Sequence, residues 1–241
     1  MISPLFSRFV EQKHYPAFSL KAVLFDMDGV LFNSMPAHAE AWVCAMHAVH
    51  LPFTHYEAYM NEGRTGHDTI NSIFQKELGR SATEEEKQMI YASKTLEFEK
   101  AGQTAPIPYA NELLQTIKKQ GTTIVLVTGS AQESLLESLE TYFPDSFSPQ
   151  RMVTAFDVTH GKPDPEPYLM GLQKAGVHPW EAVVVENAPL GIESAVKAGI
   201  FTIAVNTGIL EDDVLANAGA NLVLPGMKEL YEQWNELLRL P

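Results

Sequence analysis

The sequence is poor in cysteine and has no long apolar run. Its single cysteine, Cys44, excludes an intramolecular disulfide, which fits a reducing compartment and predicts a cytoplasmic protein. No apolar stretch approaches the roughly 20 residues that a membrane-spanning helix needs. The first 20 residues, which include Glu11, Lys13 and His14, lack the apolar core of a signal peptide.

Basic residues are also scarce. The 17 lysines and arginines are outnumbered by 30 aspartates and glutamates, so the net charge is −13. Such a surface repels nucleic acid and anionic membranes, and we expect neither as a partner. An anionic substrate would need a local positive charge, for which a bound metal ion is the obvious candidate.

The sequence does contain the segments of an α/β fold. Hydrophobic residues make up 45% of its 241 residues, as in a soluble globular protein. Apolar segments covered on both faces predict a parallel sheet; they lie at Lys21 to Asp26, Thr122 to Thr128, Ala182 to Glu186, Phe201 to Val205 and Asn221 to Leu224. Helical patterns near 109–120, 132–142, 165–176, 190–198 and 227–238 alternate with them. This alternation predicts a doubly wound, Rossmann-like sheet.

Residues 36 to about 102 contain no convincing strand. They predict four helices, near 36–49, 54–61, 67–78 and 83–100, and Thr83 with Glu86 has the spacing of a capping box. We expect a core domain made of residues 20–34 and 105–241, and a hinged helical cap made of residues 35–104. Extra helices packed rigidly on the core are the alternative. Residues 1–19 are expected to be an N-terminal extension outside the main fold, able to form a short helix.

Polar side chains gather where the predicted strands end. Ligands bind at the carboxyl ends of the strands in open parallel sheets. The residues at those ends, or in the loop between the second and third strands, are Asp26, Asp28, Thr128, Gly129, Ser130, Lys162, Glu186 and Asn187. Each short motif alone is common in turns, but their order and placement together are specific.

This arrangement resembles the haloacid dehalogenase superfamily of phosphotransferases over residues 21 to about 225. The resemblance implies that Asp26 is a nucleophile that forms an aspartyl-phosphate. It implies that Asp28 is a general acid/base, and that Thr128 and Lys162 bind the transferring phosphoryl group, with the backbone of Gly129 adding to the cradle. Because haloalkanoic dehalogenases lack an acid at the position of Asp28, phosphoryl chemistry is favoured over carbon–halogen cleavage.

The resemblance also implies a Mg²⁺ site made of Asp26, the carbonyl of Asp28, and the pair Glu186 and Asn187. Many relatives carry two acids at this pair, whereas this chain has Glu-Asn and lacks one negative charge. Either the metal binds more weakly, or a carboxylate comes from elsewhere. A binding-only variant without catalysis is a third reading.

Within the superfamily, the chain resembles the β-phosphoglucomutase subgroup, including His38 and Trp42 on the first cap helix. There the residue at the position of His38 couples cap closure to the general acid/base, although a solvated helix residue is the simpler reading. The mutases carry a lysine and an arginine in the cap loop that hold a distal phosphate. This chain has Glu62 and Gly66 at those positions, with Arg64 shifted by two residues.

Glu62 suggests a different substrate. A carboxylate would repel the second phosphate of a sugar bisphosphate, but it could restore the charge missing at Asn187 when the cap closes. A small, metal-bound anion such as pyrophosphate would suit that site. The segments 62–66, 186–191 and 153–157 together resemble a pyrophosphatase branch of the subgroup. Alternatively, Glu62 caps a helix or faces solvent.

Three functions remain open. The first is a phosphohydrolase acting on pyrophosphate or on small phosphate esters. The second is a β-phosphoglucomutase, which interconverts β-glucose 1-phosphate and glucose 6-phosphate. The third, a phospho-aspartate receiver, is disfavoured because receivers are about half this length and lack a cap. We expect a small phosphorylated substrate and a monomer or weak homodimer.

Overall fold

The computed structural model describes residues 4–102, 104–130 and 133–237, and it contains a six-stranded parallel sheet. Its strands are β1 (Ala22–Phe25), β2 (Thr123–Val127), β3 (Met152–Val153), β4 (Ala182–Glu186), β5 (Phe201–Val205) and β6 (Leu222–Leu224). They lie in the order β3-β2-β1-β4-β5-β6, and every neighbouring pair is parallel. The prediction of a doubly wound α/β sheet is confirmed.

Helices connect these strands and cover the sheet. Before and within the cap lie α1 (Pro4–Lys13), α2 (Met35–Ala48), α3 (His55–Met60), α4 (Gly66–Leu78) and α5 (Glu84–Lys100). After it follow α6 (Ala110–Lys119), α7 (Glu133–Tyr142), α8 (Glu166–Ala175), α9 (Pro189–Lys197), α10 (Asp212–Asn217) and α11 (Met227–Leu237). Residues 1–3, 103, 131–132 and 238–241 of the predicted elements and domains lie outside the described residues. Within the described ranges, no helix is both long and apolar enough to cross a bilayer.

The expectation that the N-terminal extension lies outside the main fold is wrong for α1. Phe6 and Phe9 are buried in the main hydrophobic core. Phe6 stacks on Phe18 at 4.1 Å and contacts Phe201 of β5 at 4.2 Å between ring centroids. The Tyr15 hydroxyl donates a hydrogen bond to the carbonyl of Gly199. The aromatic side chains therefore attach this segment to the sheet.

Four helices, α2 to α5, are inserted between β1 and α6, as predicted. Thr83 and Glu86 form the predicted capping box of α5, and Thr54 with Glu57 forms a second one for α3. The buried side chains of the cap form one hydrophobic cluster with residues of the core, namely Ile192, Ala204, Leu210 and Leu215. The cap therefore packs directly against the ends of β5 and the helices beside it.

Candidate active site

A cleft lies between the carboxyl ends of the strands and the cap. Asp26 follows β1, Thr128 follows β2, and Glu186 ends β4. These residues lie at one edge of the sheet because parallel strands have their carboxyl ends on the same side. The cavity volume is about 60 Å³. Its lining includes Asp26, Asp28, Thr128, Gly129 and Ser130 from the core, and His38, Glu62, Arg64, Tyr91 and Lys94 from the cap. The structure therefore brings most of the predicted site residues to this cleft.

Lys162 lies at the base of the site between two carboxylates. Its Nζ atom is 2.5 Å from Asp26 Oδ1 and 2.7 Å from Glu186 Oε1, and it also donates to the carbonyl of Val127 at 3.0 Å. Burial opposes its charge, but the two carboxylates outweigh burial and raise the pKa of Lys162. Burial raises the pKa of Asp26 well above its usual range, and Lys162 counters this only in part because Glu186 and Asp28 lie nearby. The site thus concentrates negative charge around one fixed cation.

Glu186 is fully engaged by hydrogen bonds. Its Oε1 atom accepts from Lys162 and from the Tyr168 hydroxyl at 2.8 Å. Its Oε2 atom accepts from the backbone N–H groups of Asn187 and Ala188 at 2.9 and 3.2 Å. These four contacts hold the carboxylate in place and position Lys162. The metal-ligand role predicted for Glu186 stays a prediction.

Glu62 and Asn187 meet across the boundary between cap and core. Asn187 Nδ2 donates to Glu62 Oε1 at 2.9 Å, and both side chains are buried. Burial raises the pKa of Glu62 well above its usual range, and the nearby Asp26 raises it further. The Oδ1 atom of Asn187 is buried without any hydrogen-bond partner. A buried orphan acceptor beside a crowded carboxylate is costly unless a cation is bound there.

Asp28 is held by two side chains at the start of the cap, one just before α2 and one on α2. Asp28 Oδ1 accepts a hydrogen bond from Ser34 Oγ at 2.5 Å and lies 3.0 Å from His38 Nε2. Burial favours the neutral acid, but the charge and hydrogen bond of His38, with help from Ser34, lower the pKa of Asp28. Asp28 is therefore poised as an ionised carboxylate.

A buried lysine of α5 completes this chain of contacts. Lys94 Nζ lies 2.8 Å from His38 Nδ1, and the imidazole ring stacks on Phe98 at 4.2 Å. Burial, together with the charge of Lys94, lowers the pKa of His38. Burial also lowers the pKa of Lys94 to about 8. His38 is thus a buried link between Asp28 and Lys94, and not a solvated helix residue.

The loop after β2 contacts the cap loop directly. The Thr128 hydroxyl accepts from the N–H of Ser130 at 3.0 Å, which shapes this loop. A Cβ atom on Gly129 would lie 2.3 Å from the carbonyl oxygen of Gly63 in the cap. Only glycine fits at Gly129 with the cap in this position, and the neighbouring Thr128 is buried.

Arg64 brings a cation to the cleft. Its side chain lines the cavity, and its Nε atom is buried without a hydrogen-bond partner. Burial lowers the pKa of the guanidinium, although Asp68 and Glu193 partly offset this effect. A buried, unsatisfied guanidinium nitrogen favours the binding of an anion.

Oxygen atoms around Asn187 fit a hard divalent cation. Among the described residues, no three His, Cys, Asp or Glu side chains already converge on a common point. The candidate donors are the predicted ligands Asp26, the carbonyl of Asp28, Glu186 and the orphaned Oδ1 of Asn187, together with Glu62 from the cap. Carboxylate, amide and carbonyl oxygens are the ligands that Mg²⁺ takes, usually together with waters.

Sequence reasoning did not single out Ser34, Lys94 or Tyr168. Ser34 lies in the connection into the cap, and Lys94 sits in the middle of a charged helix. Tyr168 is the third residue of α8, in a sequence that is typical of an ordinary helix start. Their contacts span up to 56 residues along the chain, so local patterns could not reveal them.

A family model, curated sequences and solved structures all show similarity to this chain. The model of the family described as haloacid dehalogenase-like hydrolase matches residues 23–205. "Hexitol phosphatase A" of Escherichia coli (strain K12) is 34% identical over 77% of this chain and 83% of its own length. "Pyrophosphatase PpaX" of Oceanobacillus iheyensis is 24% identical over 88% of this chain and 95% of its own length. A solved structure named "Putative beta-phosphoglucomutase from Bacteroides vulgatus" is 51% identical, has a TM-score of 0.94, and covers 97% of this chain and 95% of that one.

Proposed function

Because the chain belongs to the haloacid dehalogenase-like hydrolase family, we propose that it is a Mg²⁺-dependent phosphohydrolase whose main substrate is inorganic pyrophosphate. Its relatives named as phosphatases and mutases support an enzyme acting on phosphorylated small molecules. The observation that carries the finer proposal is the buried contact between Glu62 of the cap and Asn187 of the core. That contact places a carboxylate where the core lacks one.

The residues of the cleft suit a two-step phosphoryl transfer. In the first step, an Asp26 oxygen bonds to phosphorus while the bond to the bridging oxygen breaks, and phosphate leaves. In the second step, water attacks the same phosphorus, Asp28 accepts its proton, and Asp26 is released with the second phosphate. Lys162 and Thr128 bind the oxygens of the transferring group. A bound Mg²⁺ supplies charge neutralisation between the carboxylates and the phosphate.

An ionised Asp28 is compatible with a phosphoanhydride substrate. A sugar alkoxide is a poor leaving group and needs a proton from a general acid. The hydrogen bonds from His38 and Ser34 instead lower the pKa of Asp28 and keep it ionised. A departing phosphate needs no such proton at neutral pH, so an ionised Asp28 costs little in the first step and serves as a base in the second.

The size of the cleft supports a small substrate. A cavity of about 60 Å³ holds only a few waters, at roughly 10–15 Å³ for each. A hexose phosphate would require the cap to move away, whereas a second phosphate would fill the space near Arg64. The unsatisfied Nε atom of Arg64 provides a partner for that anion.

A β-phosphoglucomutase is the second candidate. The solved structure of that name is 51% identical to this chain. The contact between His38 and Asp28 also suits an enzyme that couples cap closure to proton transfer. In this case, Arg64 would bind the distal phosphate of the sugar.

Two parallel assays distinguish these functions. One measures phosphate release from pyrophosphate, with a hexitol phosphate and other small esters as comparison substrates. The other measures isomerisation of β-glucose 1-phosphate primed with glucose 1,6-bisphosphate, and both are run with and without Mg²⁺. We expect Mg²⁺-dependent hydrolysis of pyrophosphate without isomerisation. Efficient formation of glucose 6-phosphate would overturn the proposal in favour of the mutase.

The remaining proposals concern the setting of the enzyme. A cytoplasmic location, a monomeric or weakly dimeric state, and the absence of nucleic-acid or membrane partners stay predictions. They are supported by the net charge of −13 and the single cysteine.

A further inference from the structure

The segment 206–211, here called the β5–α10 loop, contacts both halves of the candidate active site. It leaves the carboxyl end of β5 and leads into α10. On one side it reaches the loop that follows Asp28, and on the other it reaches α3 of the cap. None of the roles assigned above uses these residues.

On the core side, the loop is tied down by hydrogen bonds. The Thr207 hydroxyl donates to the carbonyl of Gly29, the residue that follows Asp28. Asn206 donates through its backbone N–H to Leu224 and through Nδ2 to Leu210 and Asp212, at 2.8, 2.9 and 2.6 Å. These hydrogen bonds therefore fix the β5–α10 loop beside the segment that contains Asp28 and Gly29.

On the cap side, the loop receives two tyrosines of α3. A Cβ atom on Gly208 would lie 2.8 Å from Tyr59 Cε1, so the buried Tyr59 ring rests directly on the glycine backbone. The Tyr56 hydroxyl donates to Glu211 Oε2 at 3.2 Å. Leu210 of the loop also belongs to the apolar cluster shared by cap and core.

Tyr59 leads directly to Glu62. The backbone N–H of Glu62 bonds to the carbonyl of Tyr59 at 3.3 Å, within one turn at the end of α3. A shift of α3 that carries the Tyr59 backbone away from Gly208 would therefore also move Glu62 relative to Asn187. We propose that the β5–α10 loop is the docking surface that sets the closed position of the cap, and that Gly208 and Tyr59 are positioning residues for Glu62.

A side chain at Gly208 tests this proposal sterically. The φ angle of Gly208 lies outside the left-handed region, and the three atoms nearest to a Cβ built there all belong to the Tyr59 ring, so we expect Gly208→Val to collide with that ring. Tyr59→Ala in the same chain removes the collision. Gly208→Ala is a milder version in case the valine variant does not fold. Ile209→Ala, in the same loop but with a side chain 54% exposed, is the matched control.

The first readout is the position of the cap and needs no substrate. Spin labels are placed at Met89→Cys on α5 and Leu169→Cys on α8, both exposed positions, in a Cys44→Ser background. We expect Gly208→Val to lengthen or broaden the distance between the labels, and the Tyr59→Ala double variant to reverse this only in part, because the ring that rests on the loop is then missing. The Ile209→Ala distance should match the wild type. Identical distances in all variants would overturn the proposal.

The second readout rests on the proposed function, because it is the Mg²⁺ concentration that half-activates pyrophosphate hydrolysis. We expect Gly208→Val to raise this concentration at least tenfold, and Tyr59→Ala to reverse only part of that rise, because Tyr59 itself positions Glu62. A displaced cap with unchanged Mg²⁺ dependence would overturn the positioning of Glu62. If the wild type does not hydrolyse pyrophosphate, the proposed function fails, while the label distances still decide whether the loop docks the cap.

Discussion

Glu62 and Asn187 together could supply the metal-binding oxygens that, in many relatives, come from two acids of the core. Glu62 would contribute a negative charge from the cap, and Asn187 a neutral oxygen from the core. Their side chains are joined by the hydrogen bond from Asn187 Nδ2 to Glu62 Oε1, at 2.9 Å. The metal site would then be complete only with the cap closed. This division makes the two side chains interdependent.

Exchanging the two functional groups tests that interdependence. Glu62→Gln removes the carboxylate, and Asn187→Asp places a second carboxylate against Glu62, so we expect each single variant to lose at least tenfold in kcat/KM for pyrophosphate. The double variant again has one carboxylate and one amide, and we expect it to recover much of the loss. Steady-state kinetics across Mg²⁺ concentrations measure this coupling. Glu85→Gln, at an exposed position of α5, is the control; losses that simply multiply would contradict the paired site.

Lys94 makes the stability of the protein depend on pH. Burial lowers its pKa from 10.5 to about 8, so between these values the unfolded chain binds more protons than the folded one. The contribution of this residue to the free energy of unfolding therefore rises with pH across that window. At about 1.4 kcal/mol for each pH unit, the full change is about 3 kcal/mol.

Urea unfolding of the wild type and Lys94→Met at pH values from 7 to 10.5 measures this change. We expect the wild-type stability to improve relative to the variant between pH 8 and 10.5. Lys228→Met, which removes an exposed lysine of α11, should show no such trend. A constant difference between the wild type and Lys94→Met would mean that Lys94 is charged equally in both states.

The sequence was informative about residues that act where strands end. Asp26, Asp28, Thr128 and Glu186 could be located because parallel strands deliver their last residues to one edge. Lys94 and Tyr168 could not, since their roles arise from packing between segments that are distant in the chain. The position of Glu62 beside Asn187 was suggested only by the missing charge in the Glu-Asn pair.

At the scale of elements, α1 stabilises the sheet from outside the motif-bearing region. Phe6 is 1% exposed and contacts both Phe18 and Phe201. Replacing it by alanine removes this packing, and we expect a loss of about 3–5 kcal/mol in the free energy of unfolding. Urea denaturation measures it, with Phe156→Ala as control because that ring is 72% exposed. Equal effects of the two substitutions would show that α1 contributes little to folding.

Elements with a clear strand or helix pattern were predicted, including the three-residue β6 and the six-residue α3. The five predicted strands and the four cap helices are all present. β3 was missed because it has only two residues, Met152 and Val153, too few to show a pattern. α10 was missed because it has only six residues, of which three are polar and only Leu215 is buried. The sequence does not reveal that α1 packs on the core, because Phe201, which contacts its aromatic side chains, is distant in the chain.

At the scale of the whole molecule, the cap and core share one apolar cluster and meet at the candidate metal donors. A cation bound there would hold the two parts together and stabilise the folded protein. At a Mg²⁺ concentration a hundredfold above Kd, the gain is about 2.7 kcal/mol, which corresponds to a rise in Tm of roughly 5–10 °C for a chain of this size.

Thermal unfolding with and without Mg²⁺ checks this expectation. The wild type should show the rise, and Asn187→Ala should show much less of it because the orphaned Oδ1 atom is gone. An equal rise in both proteins would place the bound cation elsewhere. The same measurement is independent of the choice between hydrolase and mutase.

The ammonium of Lys162 lies 2.5 Å from Oδ1 of Asp26, the proposed nucleophile. In the proposed mechanism, an arriving phosphoryl group would have to draw that ammonium toward its own oxygens before Asp26 could attack. The lysine would then exchange the carboxylate of Asp26 for a phosphoryl oxygen, and it would remain paired with an anion throughout. In this mechanism, a neutral molecule of the same shape would not displace the lysine, so Asp26 would stay paired with Lys162.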